Sequence, residues 1–463
     1  MAKGFPAFSA LVGAAAEEVG DGDITPWLTM LAMCMLLLGA WWAVSLVRRR
    51  RAAVAEAALQ VRLRTAIDHV RTLAEDRSAS STSPVDPSEY SFSVKTLLNA
   101  RVVVLLNPMG GSGSARRMAE SAIPIFRAAA SDLQVIETRY RGHAFEMGRD
   151  RDWTLVDVVL LLSGDGLVHE FVNGLIARTT ASNMDTHSMN TNSDLASKQS
   201  PITMTRRWPV VGVLPCGTGN GMAFSLGYRS RDPIELALQL CEARSHPIQW
   251  MRCDVDGRVL PVYSLLSVMA AVASTSEYYM EQRLRRVPWP AVRDLVGPVV
   301  ALFSSVAHRM DVRMHLAPEH FELPLDSSLT DKSVLRQDGD EFVYEGDVWY
   351  LMLNKQPYLA HDLALGPCLR PMDGCMQVVL LPGVLSHVRL LHMFALSNET
   401  ANVLRDFDDF WTFKCTELSF LPRGSRNAKQ LDRVSTSGEV WPENCTGKQI
   451  HVTVETAPFQ ILL

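Results

Sequence analysis

No Cys-x-x-Cys pair occurs among the eight cysteines of this chain, which stand scattered at Cys34, Cys216, Cys241, Cys253, Cys368, Cys375, Cys415 and Cys445. That spacing excludes a zinc-ribbon frame, and the thiols read as reduced residues of a cytosolic body. An excess of positive charge is lacking too: the formal net charge is −5, which gives no reason to expect nucleic acid as a partner. The glycine-rich stretch after Leu106 has no following Gly-Lys-Ser/Thr, so it is not a P-loop. Arg116 stands where the third glycine of a dinucleotide fingerprint would fall. His169-Glu170 opens like a zinc helix, but Asn173 replaces the second histidine, and no all-protein metal cage is visible elsewhere.

What is present is a chain of 463 residues with 47% hydrophobic content, enough to bury large cores and to fill two domains with appendages. Residues 27–47, WLTMLAMCMLLLGAWWAVSLV, carry no charge and run directly into Arg48-Arg49-Arg50-Arg51. The length matches a bilayer and the arginines a cytosolic flank, so the expectation is a single-pass anchor with the rest of the chain in the cytosol. An endomembrane such as the endoplasmic reticulum is the expected location. A cleaved signal peptide is the rival reading, less well matched to a late, long run that ends in arginines. Residues 52–75 have the composition of a helical stalk. Residues 76–89, DRSASSTSPVDPSE, make a polar linker, and the globular part is expected from near Tyr90.

Three stretches share one design. RVVVLL (101–106) is a buried strand entering Asn107-Pro108-Met109-Gly110-Gly111-Ser112-Gly113 and then a helix. VDVVLLLS (156–163) enters Gly164-Asp165-Gly166 and then a helix through Leu167, Phe171 and Leu175. PVVGVL (209–214) enters Pro215-Cys216-Gly217-Thr218-Gly219-Asn220 and a third helix. DLQVIET (132–138) reads as a further strand. Three such units bring their turns to one edge of a parallel sheet, where backbone amides and helix N-termini suit phosphate groups. Residues 179–207, rich in Ser, Asn, Thr and Met, read as a disordered insertion.

The strings LLNPMGGSGSA, SGDGLVHEFVNGL and LPCGTGNGMAFSL, in this order, resemble the catalytic domain shared by diacylglycerol, ceramide and sphingosine kinases. The likeness covers Arg101 to about Leu240 closely and the remainder loosely. Sphingosine kinases are the nearest of these, on the run YSLLSVMAAVASTSEYYMEQRLRR (263–286) with Arg293 beyond it. The resemblance implies an α/β fold: a Rossmann-like three-layer nucleotide domain at 96–250 followed by a β-sandwich lipid-binding domain at 251–463. It also implies ATP and Mg²⁺ as cofactors and a sphingoid base as substrate. Asp165 would be the catalytic base, and Gly111, Ser112, Gly113, Ser163, Gly164, Gly166, Gly217, Thr218, Gly219 and Asn220 would line the phosphates. Asn107, Thr138, Glu170 and Glu439 would support the nucleotide, and Arg286 and Arg293 would supply positive charge.

Glu277, with Glu281 as second candidate, would face the lipid's ammonium, and Ser267 would also contact the substrate. Two departures stand out. Ser437-Gly438-Glu439 replaces the family's Asp-Gly-Glu, and Met109 stands where sphingosine kinases often carry Arg. The alternatives that remain are a diacylglycerol or ceramide kinase, a lipid-binding homologue without activity, and an NAD-kinase-like enzyme. Strands are expected at 342–353, 376–381 and 413–421, a short helix at 385–396 and a surface loop at 324–340. The sequence says nothing of oligomeric state.

Overall fold

The computed structural model describes residues 25–80, 96–110, 114–187, 208–284, 287, 290–316, 335–338, 341–361, 363–366, 369–383, 385–387, 389–390, 409–425 and 431–463. It divides into two compact units, Met1–Thr65 and Ala66–Leu463. All described residues of the first are helical.

That helix, α1 (Thr25–Ser80, 56 residues), corrects the expected anchor. The apolar run is no separate span followed by a stalk. It is the opening of one helix that continues through the four arginines and the mixed-charge stretch to Ser80. Among the described residues no helix is long and apolar enough to cross a membrane, and the expected single-pass anchor and the membrane location drawn from it fall with that finding. Within the second unit, Ala66, Val70 and Ala74 are buried, and Asn99 Nδ2 donates to Ala74 O at 2.8 Å. The apolar positions are spaced four apart, so one helical face packs and the other stays wet.

The second unit opens with four strands: β1 (Arg101–Leu106), β2 (Asp132–Glu137), β3 (Val158–Ser163) and β4 (Val210–Pro215). They run parallel in the order β4-β3-β1-β2. Every residue of β3 and β4 is buried, which is why these segments read as unbroken Val/Leu runs. Helices α2 (Ser114–Ala129), α3 (His143–Asp150), α4 (Asp165–His187), α5 (Gly221–Ser225) and α6 (Pro233–Glu242) follow the strands. α4 carries on to His187, so the first part of the stretch expected to be disordered is helical; residues 188–207 lie outside the described set. Gly148 and Gly174 let α3 and α4 touch: a Cβ on Gly174 would lie 2.1 Å from Phe145 O, and one on Gly148 2.6 Å from Phe171 O.

Beyond α6 come β5 (Ser245–Val255), β6 (Val262–Ser264), β7 (Ser267–Ala271), α7 (Val272–Tyr278), a π-helical turn (Tyr279–Arg283) and α8 (Pro290–Ser304). Then follow β8 (His308–Leu316), β9 (Leu335–Asp338), β10 (Glu341–Asn354), β11 (Tyr358–Ala360), β12 (Leu363–Ala364), β13 (Met376–Pro382), β14 (Trp411–Ser425), β15 (Val434–Thr436), β16 (Glu439–Val440) and β17 (Ile450–Leu462). The three strands expected from alternation appear, each longer by a residue or more. β9 falls inside the expected surface loop, since it pairs with β10; residues 317–334 and most of the expected helix at 385–396 lie outside the described residues.

β10 is the hub of this part, bonded to β7, β8, β9 and β13. Its two faces serve two cores. Leu351 and Leu353 enter one with Val268, Val378, Leu380, Phe413 and Ile450. Tyr350 enters the other, with Met269, Val272, Trp349, Leu381, Ala301 and Leu302, beneath α7 and α8. The last strand, β17, pairs antiparallel with β5 and β14 and meets β4 in parallel at Ile461–Val211. One hydrogen-bonded sheet path thus joins the parallel layer to the antiparallel part. Cys216, Cys241, Cys253, Cys375, Cys415 and Cys445 are free and buried.

Candidate active site

Parallel register brings the turns together. Leu106 lies opposite Glu137 and Leu162, and Ser163 opposite Pro215, so β1, β2, β3 and β4 end level at one edge. The strand order reverses between β1 and β3, and such a switch point opens a crevice at the strands' carboxyl ends. The first turn is knotted by Asn107, whose Oδ1 accepts from Met109 N at 3.1 Å and whose carbonyl accepts from Gly110 N at 3.0 Å. Gly111, Ser112 and Gly113 lie outside the described residues. Ser114 Oγ donates to Cys216 O at 3.1 Å, tying this turn to the third. Ser163 is buried, and Gly164 meets Gly217 backbone to backbone: a Cβ on Gly217 would stand 2.5 Å from Gly164 Cα. Thr218 is exposed. Asn220 closes its own loop, its amide accepting from Gly217 N and donating to Gly217 O, both at 2.7 Å, while its backbone sits at φ 56°.

Asp165 begins α4 at the centre of these turns. One carboxylate oxygen accepts from Gly221 N at 3.0 Å and the other from Met222 N at 2.9 Å. Burial raises its pKa above the usual carboxylate range, and the two amides pull it back only in part. Its surface is not wholly closed, yet the group lies deep in the fold. A cavity of about 10 Å³ adjoins it, lined by Val168, Val172, Met222, Leu265, Leu266 and Ser437 among others. This is room for about one water-sized oxygen.

Glu439 reaches the same turns from the far end of the chain. Ser437 (φ 49°) and Gly438 (φ 83°) form the two-residue loop of the β15–β16 hairpin, a turn that needs positive φ at both positions. Ser437, in place of the expected Asp, is buried; its N donates to Ser267 O at 2.8 Å and its hydroxyl lies 2.8 Å from that of Ser264. Glu439 ion-pairs with Arg141. Glu170 Oε1 accepts from Gly142 N at 3.0 Å, and burial, with help from the nearby Glu439 charge, raises its pKa. Thr138, nearly buried at the end of β2, donates its N–H to Leu106 O at 2.8 Å.

One turn past Asp165, His169 is held neutral, its pKa lowered by burial to about 4. Its Nε2 lies 3.2 Å from Thr436 Oγ1, which accepts from Trp441 Nε1 at 3.1 Å. Asn173, read in the sequence only as a missing histidine, pairs with β6 as another strand would: it accepts from Tyr263 N and donates to Tyr263 O, both at 2.8 Å. Residues 358–361 clamp the third turn, with His361 N donating to Gly219 O at 2.8 Å and Asn220 bridged to Ala360.

Of the substrate-side candidates, Ser267 is wholly buried on β7 and Glu277 is half-buried on α7, its Oε2 3.8 Å from where a Cβ on Gly438 would stand. Glu281 falls on the π-helical turn and Arg293 on α8, while Arg286 lies outside the described residues. Asp165, Glu170, Glu439, Ser163, Gly164, Gly166 and Asn220 are therefore brought together, with Glu277 beside the Glu439 hairpin. Sequence reasoning missed Arg141 as the cation at Glu439. Asn173, His169 and the 358–361 clamp were missed as well, because their partners lie far along the chain.

Residues 101–253 match the diacylglycerol kinase catalytic domain. The sphingoid long chain base kinase 5 of Saccharomyces cerevisiae is 30% identical over 175 residues, covering 37% of this chain and 22% of the relative. The sphingoid long chain base kinase 4 of Schizosaccharomyces pombe is 25% identical over 361 residues, covering 74% and 71% respectively. Mouse sphingosine kinase 1 is 25% identical over 382 residues, covering 76% and 89%. This chain thus spans less than a quarter of the first relative's length and most of the other two. Three glycine turns level at one sheet edge, with Asp165 between them, thus lie within a segment that matches the diacylglycerol kinase catalytic domain, in a chain similar over most of its length to a long chain base kinase and a sphingosine kinase.

Proposed function

We propose that this protein transfers the γ-phosphate of ATP to the primary hydroxyl of sphingosine or a related long-chain base, giving sphingosine 1-phosphate. The observation that carries the reading is the pairing of Asp165, a carboxylate of raised pKa, with an adjoining space for one oxygen atom. A hydroxyl placed there would give its proton to Asp165 as its oxygen bonds to phosphorus and the bond to the departing ADP breaks. A carboxylate with a raised pKa is a better proton acceptor than an ordinary one, which is what an alcohol nucleophile needs.

The amides of Gly164 and Gly166, at the N-terminus of the 23-residue α4, would meet the phosphates together with those of Gly111 and Gly113 and the Ser112 and Thr218 hydroxyls. Asn107, Thr138, Glu170 and the Arg141–Glu439 pair would support the nucleotide around them, and Arg286 and Arg293 would add positive charge. Among the described residues no group of three or more His, Cys, Asp or Glu side chains could hold a metal ion, so a Mg²⁺ would have to come in on the phosphates.

The relatives' names speak for a long-chain base as acceptor. Such a lipid carries an ammonium, which Glu277 would face beside the Glu439 hairpin, and an apolar chain. The apolar face of β10 beneath α7 and α8 would take that chain, because burying it there removes hydrocarbon from water. Labelled phosphate transfer from ATP, with sphingosine, ceramide and diacylglycerol offered in parallel, tests the reading. Label on sphingosine supports it. Label on diacylglycerol or ceramide alone moves the acceptor to that lipid, and label on none of the three sinks it.

A further inference from the structure

The sheet face beneath α7 and α8 changes character along its strands. The rung Ala271–Tyr350–Leu381 and the next, Met269–Met352–Val379, are mainly apolar. The following rung, Ser267–Asn354–Gln377, is polar, and Gln356 follows in the bend just past the end of β10. Ser267, Asn354 and Gln356 are 0%, 2% and 1% exposed. Yet Ser267 Oγ, Asn354 Nδ2 and both Gln356 side-chain polar atoms have no hydrogen-bond partner. Buried polar atoms in native folds are normally met, so a group of four points to something that meets them.

This polar rung adjoins the space beside Asp165. Ser267 O accepts from Ser437 N at 2.8 Å, and Lys355 N donates to Leu266 O at 2.9 Å. Ser437 and Leu266 both line the cavity at Asp165. Moving along the face, the order is therefore apolar rungs, unpaired neutral amides and a hydroxyl, then the carboxylate. A long-chain base has the same order: hydrocarbon, a hydroxyl on its third carbon, then the reacting hydroxyl on its first.

We infer that Ser267, Asn354 and Gln356 form a neutral hydrogen-bonding platform that recognises the lipid's 3-hydroxyl, and so set specificity for long-chain bases. The assignment rests on the acceptor proposed above. A hydroxyl both donates and accepts, and so do an amide side chain and a serine, whereas a carboxylate would compete for the ammonium. The substrate's hydroxyl, with one hydrogen to donate and two lone pairs, can meet up to three of the four atoms that the protein leaves unmet.

The test compares kcat/KM for sphinganine with that for 2-aminooctadecan-1-ol, which lacks only the 3-hydroxyl. Wild type should prefer sphinganine by about tenfold. Gln356→Met, Asn354→Leu and the minimal Ser267→Ala should each erode that preference by slowing sphinganine alone, with the KM for ATP unchanged. If the variants slow both lipids equally, or neither, the platform is wrong while the kinase reading stands. If wild type phosphorylates neither lipid, the kinase reading falls and the platform with it. Thermal unfolding of each variant separates lost recognition from lost fold, and Ser267→Ala, which deletes one oxygen, keeps the test alive should a larger replacement not fold.

Discussion

A carboxylate oxygen of Glu439 lies 2.7 Å from the point that a Cβ on Gly166 would occupy. A side chain on the second glycine of Ser-Gly-Asp-Gly would thus displace a carboxylate more than half the chain away. Gly166→Ala should push Glu439 off its pair with Arg141 and raise the KM for ATP about tenfold or more, with a smaller loss of stability. Steady-state kinetics at varied ATP, set beside a thermal melt, checks this; an unchanged KM would mean that Glu439 has no part in nucleotide binding.

Asn220 holds its loop closed through both ends of its amide and adopts a left-handed backbone that asparagine tolerates better than most residues. Asn220→Ala should cost about 1–3 kcal/mol of stability, since it removes both bonds and keeps the unfavourable φ. Chemical denaturation at equilibrium measures the loss.

His169 gives a pH dependence with a definite sign. Its pKa falls from 6.5 to about 4 on folding, so the unfolded chain binds the proton more tightly between those values. Stability from the neutral imidazole is full above about pH 6.5 and is lost as pH falls toward 4, by an amount on the order of 2–3 kcal/mol. His169→Gln should flatten the fall in melting temperature over that window. A slope as steep as wild type would show that His169 does not titrate as described.

Lys355 is fully buried, its Nζ donating to Asp373 at 2.9 Å and to Arg370 O at 3.1 Å. Lys355→Met takes the cation from Asp373, leaving the carboxylate only the backbone N–H groups of Arg370 and Cys375, and should cost about 3 kcal/mol. Replacing both, as Lys355→Met with Asp373→Leu, should recover part of that, and a double-mutant cycle by denaturation reads the difference.

Much of this was legible in the chain. The strands before the three glycine turns declare themselves because a strand buried on both faces must be apolar throughout, and the turns because glycine is needed where backbones touch, as at Gly164 and Gly217. Other features have no local signal. The place of Arg141 depends on Glu439, that of Asn173 on Tyr263, and the third turn on residues 358–361; each is a pairing between distant segments that no single window contains. The apolar run at 27–47 misled for the opposite reason. A hydropathy window sees composition, and does not see that the helix carrying it continues through charged residues to Ser80.

The central claim is that Asp165 accepts the proton of the lipid's hydroxyl. Phosphate transfer to sphingosine should be measured for wild type and Asp165→Asn, with nucleotide binding and thermal unfolding followed on the same samples. The account predicts a loss of about a hundredfold or more in kcat, with ATP still bound and the fold retained. Transfer within a few-fold of wild type by the folded variant would contradict it.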